Sequence, residues 1–478
     1  MDELLCDELL QEIFTRIPSA APPSIPLVSK RWLYLYRASK TSLSLRITLD
    51  HHQHQNTNSS AVAAALFRSF SSFLSHYPFL SSLSLLLNDP SFPRSPSFND
   101  RLLFLISSLC FKLKQLKFLP YPVSVISLRS LSNSCTLLTS LTVSLSRPLL
   151  LHWVAWFASL KELSVSVCDG DERGIGFSLD EGKDSELGLE SVSFAGIGRD
   201  DSGLGFLWRS CKKLKKLSLK SCEGIGDGGS FSSFTHCLIH LQELELRTCR
   251  NIADGVLLRL AEHSTSLNSL LVYDGGSRDG LLHFITNSKC QVSNLDFRLP
   301  LDLSNDHLSA VATNFRCLKS LRLQSCCLVS GEGLKALGIA MSSGLEELAL
   351  INCDVVERES GLLATLGQNL KQLRKLDLSY NEYLFDKEFI GMLASCCNLV
   401  DLKIRGCRGL TVLAMVAVSR SCKKLERVDV VHCSGITADG VETLVVKSSR
   451  LRRVQVEESK VSDVARGWAN RRFVEVSA

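Results

Sequence analysis

The sequence predicts an α/β solenoid, in which parallel strands form one layer and helices the other, preceded by a short helical segment. Three observations support this fold class. A pattern L-x-x-L-x-L-x-x-C recurs at nearly constant intervals, helical periodicity follows its copies, and 478 residues exceed what one compact core usually holds. We therefore expect a horseshoe with parallel strands inside and helices outside.

The repeat is regular from residue 211 onward, and its copies are 25 to 28 residues apart. Its leading residues are Leu214, Leu241, Leu267, Val292, Leu318, Leu345, Leu373, Leu399, Leu425 and Leu451. In each copy the L-x-L alternation directs both leucines to one face of a short strand. Segments such as 333–337 and 440–446 then place apolar residues at helical spacing. One unit cannot cover its own apolar face, so stacking is required.

Looser copies of the pattern precede residue 210, and they begin at Leu80, Leu113, Leu138, Leu160 and Leu189. With them, the solenoid is expected to cover residues 61–465 in about fifteen repeats, degenerate to about residue 210, followed by a C-terminal tail at 466–478. A polar linker is expected at 47–60.

The 18 cysteines are compatible with this architecture, and they do not indicate a disulfide scaffold. Seven are expected to mark turns of the stack, where a small, mostly apolar side chain fits: Cys168, Cys222, Cys249, Cys326, Cys353, Cys407 and Cys433. The first residues are acidic and no apolar stretch approaches ~20 residues, so we expect a soluble intracellular protein with reduced thiols.

The N-terminal segment has a different pattern, with two short amphipathic helices. Residues 7–18 carry acids in the first turn and Pro18 at the end, and a second helix is expected to contain residues 27–36. Two short helices with this much apolar surface do not fold stably alone. Some of that surface must therefore be covered by the solenoid or by another protein.

Residues 2–46 resemble an F-box in the sequence from Asp2-Glu3-Leu4-Leu5 through Ile13-Phe14 and Ile17-Pro18 to Leu27-Val28-Ser29-Lys30-Arg31-Trp32. The segments around Cys249 and Cys433 resemble the cysteine-containing leucine-rich repeats. This domain order is similar to that of the F-box/leucine-rich-repeat family, most of all its plant members.

The resemblance implies the substrate receptor of an SCF-type E3 ubiquitin ligase. In that family the F-box docks on a Skp-type adaptor held by a cullin, the repeats hold a protein substrate, and the receptor is not an enzyme. Carried over by position, the adaptor-facing surface or the small core behind it would consist of Leu5, Leu9, Leu10, Ile13, Phe14, Ile17, Pro18, Leu27, Val28 and Trp32.

Alternating residues of the regular strands are expected to face solvent on the concave side. Lys220, Arg247, Tyr273 and Arg298 then form a cationic column, and Lys216 and Arg322 lie beside it. This strip is one hypothesis for substrate binding, suited to an acidic peptide or a phosphate group. The alternative is a solvated face on which Glu243, Glu245 and Asp296 pair with these cations.

The sequence lacks a phosphate-binding glycine loop, a nucleophile elbow and a metalloprotease motif, so we expect no catalytic site and no metal. We also expect no cofactor, no nucleic acid and no membrane partner, although an inositol phosphate or small ligand stays open. The net charge of +5 gives no bulk polyanion-binding signal. The functional alternative is an interaction scaffold without a ligase. Either would act in the nucleus or the cytoplasm.

Overall fold

The computed structural model describes residues 5–17, 27–47, 59–87, 96–169, 186–228, 231–300 and 302–477. The chain divides into two compact units. Unit 1 comprises residues 1–215 and 224–237, and unit 2 comprises residues 216–223 and 238–478. Proline-rich residues 18–26, most of the expected linker (48–58) and the acidic segment 170–185 lie outside the described residues.

Unit 1 contains six described strands, each parallel to the next. They are β1 (Ser42–Ile47), β2 (Ser82–Leu87), β3 (Gln115–Leu119), β4 (Ser140–Ser146), β5 (Glu162–Cys168) and β6 (Ser191–Ala195). Its described helices are α1 (Asp7–Arg16), α2 (Lys30–Ser39), α3 (Ser59–Ser75), α4 (Pro96–Leu109), α5 (Val125–Ser134) and α6 (Gly205–Ser210), with 3₁₀ turns at His152–Trp156 and Phe234–Cys237.

Unit 2 has the same arrangement of parallel strands, and eleven of its strands are described. They are β7 (Lys216–Lys220), β8 (Glu243–Arg247), β9 (Ser269–Tyr273), β10 (Asn294–Arg298), β11 (Ser320–Gln324), β12 (Glu347–Ile351), β13 (Lys375–Asp377), β14 (Asp401–Lys403), β15 (Arg427–Asp429), β16 (Arg453–Gln455) and β17 (Glu475–Ser477).

Helices connect these strands on one side of the unit 2 sheet. They are α7 (Arg250–His263), α8 (Arg278–Asn287), α9 (Asn305–Asn314), α10 (Gly331–Ala340), α11 (Asp354–Arg358), α12 (Leu362–Asn369), α13 (Asp386–Leu393), α14 (Val412–Ser421), α15 (Ala438–Lys447) and α16 (Asp463–Arg472), with a 3₁₀ turn at Glu458–Lys460. Successive helices pack against each other, from α7 and α8 to α15 and α16.

The register places equivalent apolar residues of the pattern beside each other. Leu217 is level with Leu244 on the neighbouring strand, and Leu295 is level with Leu321. All four are buried, and so is each leading residue of the regular copies. Burying one such side chain is worth about 1.5–3 kcal/mol, so the stacked rows form the core. The structure confirms the predicted α/β solenoid.

A repeated turn follows the strands of unit 2, and its first residue has a left-handed backbone. Thr248 (φ 51°), Asn352 (φ 48°) and His432 (φ 63°) all occupy this position. In the described turns where this residue is followed by Cys or Asn, Gly406 (φ 72°) is the one glycine at the position. The cysteine that follows is buried. Its thiol reaches back to a carbonyl of the preceding strand, as in Cys433 Sγ to Ile404 O at 2.9 Å.

Asn381 replaces cysteine in one of these turns. Like the cysteines it donates to a carbonyl of the preceding repeat, and it makes two further hydrogen bonds. Its Nδ2 donates to Leu350 O at 2.8 Å and to Leu378 O at 2.7 Å, and its Oδ1 accepts from Cys353 N at 2.9 Å. The turn cysteines therefore act as donors as well as small apolar fillers. Cys168 is an exception to the prediction, because it is the last residue of β5 and not part of a turn.

A second group of buried cysteines, not anticipated from the sequence, lies near the carboxyl ends of the helices or of their 3₁₀ equivalents. Its members are Cys110, Cys135, Cys211, Cys237, Cys290, Cys396 and Cys422. Cys135 Sγ contacts Cys110 O at 3.3 Å, and Cys290 Sγ contacts Ser264 O at 3.1 Å. All 18 cysteines are free thiols.

The parallel sheet extends beyond the expected solenoid bounds of 61–465 at both ends. β1 lies partly within the expected 2–46 segment and pairs with β2 through Leu43 and Leu83. β17 lies in the expected 466–478 tail and pairs with β16. Only Lys40 and Thr41 separate α2 from β1, so the helical segment passes straight into the first strand. The second helix starts at Lys30, capped by Ser29, and Leu27 and Val28 precede it.

Candidate partner-binding surfaces

The helix pair α1–α2 has a small closed core. Leu10, Phe14 and Leu35 are fully buried, and the Phe14 ring meets Trp32 edge-on with centroids 5.4 Å apart. Leu5 and Ile17 pack against the same cluster. The start of α1 is tied to α2, because the Arg31 guanidinium donates to the Asp7 carboxylate at 2.6 and 2.8 Å.

Part of the pair's apolar surface is left outside this core. Leu9 and Ile13, one turn apart on α1, are 53% and 45% exposed, and Leu27 and Val28 before α2 are 82% and 58% exposed. Exposed apolar side chains in such a group mark a protein interaction site more often than single ones do. We call Leu9, Ile13, Leu27 and Val28 the apolar face.

The ten positions assigned by resemblance to the adaptor site thus separate into layers. Leu9, Ile13, Leu27 and Val28 are on the surface, and Leu10 and Phe14 are interior. Leu5, Ile17 and Trp32 are partly buried behind them, and Pro18 lies outside the described residues. Tyr34, 69% exposed on α2, was not anticipated.

In unit 2, the solvent side of the strands carries the predicted cationic strip. We call the side chains at alternate strand positions, beginning with Lys216, Glu243 and Ser269, the strand face. The register places Lys220, Arg247, Tyr273 and Arg298 on four successive strands, as the column required.

Most cations of this strip are paired with carboxylates. Arg247 lies 3.2 Å from Glu245, and Arg298 makes two bonds to Asp296 at 2.6 and 2.8 Å. The bond to Asp296 raises the pKa of Arg298, so this cation is held charged.

The neighbours of the column are also neutralised. Lys216 lies 2.7 Å from Glu243, and Arg322 lies 3.7 Å from Asp296 and 3.4 Å from Asp377, two strands away. Lys220 has no ion pair among the described residues. Most cations of the strip are therefore paired with carboxylates of the same face.

Among the described residues, three of the open hollows lie along the strand face. One of about 390 Å³ contains Arg322, Glu347 and Asp377, and a second of about 360 Å³ contains Glu245, Leu271 and Asp296. The third, of about 210 Å³, includes Lys403 and Asp429. Their walls combine both charge signs with a few apolar groups, which suits a polar protein surface better than an apolar small molecule.

Burial keeps several thiols of the two cysteine groups in the protonated form. Burial raises the pKa of Cys433 to about 11 and that of Cys422 to about 12, so both are protonated at neutral pH. Among the described residues no cluster of three or more His, Cys, Asp or Glu could hold a metal ion. None of the helices in the described ranges is long and apolar enough to cross a membrane.

Comparison with known proteins shows what this chain is similar to. A leucine-rich-repeat family model matches residues 210–229, 316–338 and 421–445. The F-box protein MAX2 of Arabidopsis thaliana is 25% identical over 304 residues, which cover 56% of this chain and 44% of the relative. The chain is thus similar to F-box proteins and to leucine-rich-repeat proteins. MAX2 homolog A of Petunia hybrida is 24% identical over 272 residues, covering 50% of this chain and 38% of that protein.

The match spans less than half the length of each of these two curated relatives. Among solved structures, yeast Rad7 in its complex with Elc1 gives a TM-score of 0.46 at 14% identity, with 87% of this chain and 94% of that chain covered. The Leptospira interrogans leucine-rich-repeat protein LIC12759 gives 0.35 at 14% identity, with 98% of both chains covered.

Proposed function

We propose that this protein is the substrate-recognition subunit of an SCF-type E3 ubiquitin ligase. The apolar face would dock on a Skp-type adaptor that is carried by a cullin, and the strand face of unit 2 would hold a protein substrate. The observation that carries the proposal is an apolar face with no cover in the described residues, on a helix pair that leads within two residues into the repeat sheet.

The separation of the ten positions into layers fits this role. An F-box must keep its own fold when free and bury an apolar surface when bound, and here different side chains serve the two needs. Leu10 and Phe14 hold the helices together, whereas Leu9 and Ile13 are available to a partner. The receptor itself would perform no bond chemistry and would need no cofactor, and we expect it in the nucleus or the cytoplasm.

The test is capture of adaptor and cullin from a plant extract by tagged protein. We expect Leu9→Glu/Ile13→Glu to abolish capture, because two carboxylates would have to be buried in an apolar interface. Gln11→Glu/Thr15→Glu adds the same charge to another side of α1 and should capture normally. Both variants should show the wild-type circular dichroism spectrum.

Undiminished capture by the Leu9→Glu/Ile13→Glu variant would remove the adaptor assignment. If neither variant nor wild type captures a cullin while other proteins are retained, the scaffold without a ligase becomes the better description. Residue Ile17 is unsuitable for this test, because it packs against the helix core and its substitution would also damage the fold.

A further inference from the structure

A dense group of cations lies at the amino-terminal ends of the last strands of unit 2, where each helix connects to the next strand. The segments 370–375, 420–427, 447–453 and 471–472 contain thirteen Lys and Arg residues and one acidic residue, Glu426. The cations are Lys371, Arg374, Lys375, Arg420, Lys423, Lys424, Arg427, Lys447, Arg450, Arg452, Arg453, Arg471 and Arg472. We call this set the amino edge.

All thirteen side chains are exposed, and four of them have carboxylate partners. Lys375 pairs with Glu347, Arg427 with Asp401, Arg452 with Glu426 and Arg453 with Glu475. Among the described residues the other nine make no ion pair. Where these nine cations make hydrogen bonds, the acceptors are uncharged oxygens. Examples are Lys423 Nζ to Ser419 O and Lys424 Nζ to Asn398 Oδ1, both at 2.8 Å.

Helix stabilisation explains only part of this group. Arg420, Lys447, Arg471 and Arg472 lie in the last turns of α14, α15 and α16, where a cation offsets the helix dipole. The dipole effect falls off within that last turn. It therefore does not account for the five cations that lie beyond the helix ends and make no ion pair among the described residues, which are Lys371, Arg374, Lys423, Lys424 and Arg450.

The equivalent segments of unit 1 show that excess charge is not inherent to this position. Lys161 and Lys215 both pair with Glu190, at 3.3 and 2.7 Å, and Lys213 pairs with Glu186 at 3.3 Å. The hydrogen bonds to both lysines lower the pKa of Glu190, so that its carboxylate persists. Three lysines of these unit 1 segments thus have carboxylate partners, whereas nine of the thirteen amino-edge cations have none among the described residues.

The cations of the amino edge are held on a regular frame. The residues just before successive strands are joined through their backbones, with Val400 N to Arg374 O at 2.7 Å, Glu426 N to Val400 O at 2.9 Å and Arg452 N to Glu426 O at 2.8 Å. Neighbouring strands of a sheet lie about 4.8 Å apart, so these positions form a regular row, in which Arg374 and Arg452 are cationic, Val400 is apolar and Glu426 is acidic. Because the backbone of this row is ordered before a partner binds, the cations that it carries need less ordering on binding.

We propose that the amino edge is a docking surface for an extended acidic segment of a protein partner. Lys375, Arg427 and Arg453 also belong to the strand face, as the first residues of β13, β15 and β16, whereas the other ten cations lie before the strands or at helix ends. The proposal does not depend on the ligase assignment. A protein segment is favoured over a nucleic acid, because segments 370–375, 420–427 and 447–453 contain no aromatic side chain on which bases could stack, and the aromatic side chains Trp468 and Phe473 lie only beside segment 471–472. An extended chain with carboxylates at every second residue, about 6.6 Å apart, can present several of them to the cations of neighbouring segments.

The test uses the full-length protein and a fluorescein-labelled peptide of alternating Glu and Ser, followed by fluorescence anisotropy. The variant Lys371→Gln/Arg374→Gln/Lys423→Gln/Lys424→Gln/Arg450→Gln removes the five cations that no helix dipole explains. We expect it to bind the peptide at least about tenfold more weakly than wild type. The matched control, Lys114→Gln/Lys161→Gln/Lys212→Gln/Lys213→Gln/Lys215→Gln, removes five cations from the equivalent segments of unit 1 and should bind within about twofold of wild type.

Added salt should weaken the wild-type interaction, and a Gln-Ser peptide should not bind. Absence of binding by wild type, or equal binding by the amino-edge variant, would overturn the proposal. Tighter binding of an oligothymidylate with the same number of charges would overturn the assignment to a protein partner and indicate a nucleic acid. If only one variant unfolds at a temperature different from that of wild type, its change in binding reflects stability. Competition between the Glu-Ser peptide and the oligothymidylate for the wild-type protein then decides the class of partner.

Discussion

The apolar face and the strand face differ in the kind of interaction that each offers to a partner. On α1–α2, the exposed Leu9 and Ile13 have no apolar neighbour to cover them in the described residues. On the strand face, Arg298 is already bonded to Asp296 and Lys216 to Glu243. A partner of the first surface gains mainly from burial. A partner of the second must replace existing ion pairs with better ones.

This difference bears on affinity and on specificity. Apolar burial is not screened by salt, whereas contacts between exposed charges are weakened by it. Replacing one ion pair with another gains little energy but penalises a wrong charge pattern strongly. We therefore expect the apolar face to give stable, salt-insensitive assembly with one partner, and the strand face to give selection among partners.

The largest expected effect concerns the core beneath the apolar face. Phe14→Ala should destabilise the α1–α2 pair by about 3–5 kcal/mol, because it leaves a cavity between Leu10, Leu35 and Trp32. Hydrogen exchange of the amides in α1 and α2 would report the change. Ile13→Ala should alter their exchange little and still weaken adaptor capture. Equal effects of the two substitutions on exchange would contradict the separation into layers.

The next effect concerns the frame under the strand face. Asn381→Ala removes three buried hydrogen bonds and should lower the free energy of unfolding by about 3 kcal/mol, measured by urea denaturation. Cys407→Ala removes one weaker contact, Sγ to Leu378 O at 3.1 Å, and should cost about 1 kcal/mol. A larger loss for Cys407→Ala than for Asn381→Ala would show that the turns depend on packing and not on donors.

A smaller effect would show whether internal pairing limits the strand face. Asp296→Asn releases Arg298 and leaves Arg322 paired with Asp377 alone, and should strengthen binding of the Glu-Ser peptide about threefold in the background that lacks the five amino-edge cations. Asp306→Asn, which breaks a pair with Arg278 away from the strand face, is the control. No gain from Asp296→Asn would mean that the hollows exclude acidic ligands for another reason.

The smallest effect concerns the thiols. At pH 7 a maleimide should label the exposed Cys6, Cys317, Cys327 and Cys397 in the native protein and leave Cys422 unlabelled, as read by mass spectrometry. Burial raises the pKa of Cys422 from 9.0 to about 12, which favours the folded state below pH 9. That contribution should decline as the pH rises from about 9 toward 12, with labelling of Cys422 appearing as the fold opens.

The sequence predicted the fold well wherever a complete repeat pattern was present. Leu217 and Leu219, spaced after Leu214, identify β7 because period-2 alternation has one structural meaning beside a helical segment. β1 was missed because Lys40 stands where the leading leucine would be, although Leu43 and Leu45 follow at the right spacing. β17 was missed because it follows α16 with too little sequence left to show a period.

The candidate surfaces were less predictable, for a different physical reason. A strand position fixes which way a side chain points, and this placed Lys220, Arg247 and Arg298 in one column. It does not fix which carboxylate each cation meets, because several lie within reach. Arg247 pairs within its own strand, and Arg322 reaches Asp377 two strands away. Such choices depend on side-chain geometry that periodicity does not encode.

The left-handed turns of unit 2 offer a way to engineer this array. Thr248, Asn352 and His432 adopt a backbone conformation that costs a non-glycine residue roughly 1–2 kcal/mol. Gly406 shows that the same turn forms with glycine. Substituting glycine at several of these positions would relieve strain at every site and change no residue of the strand face or of the amino edge. The array could thus be made more durable, one turn at a time, while its recognition surfaces keep their sequence.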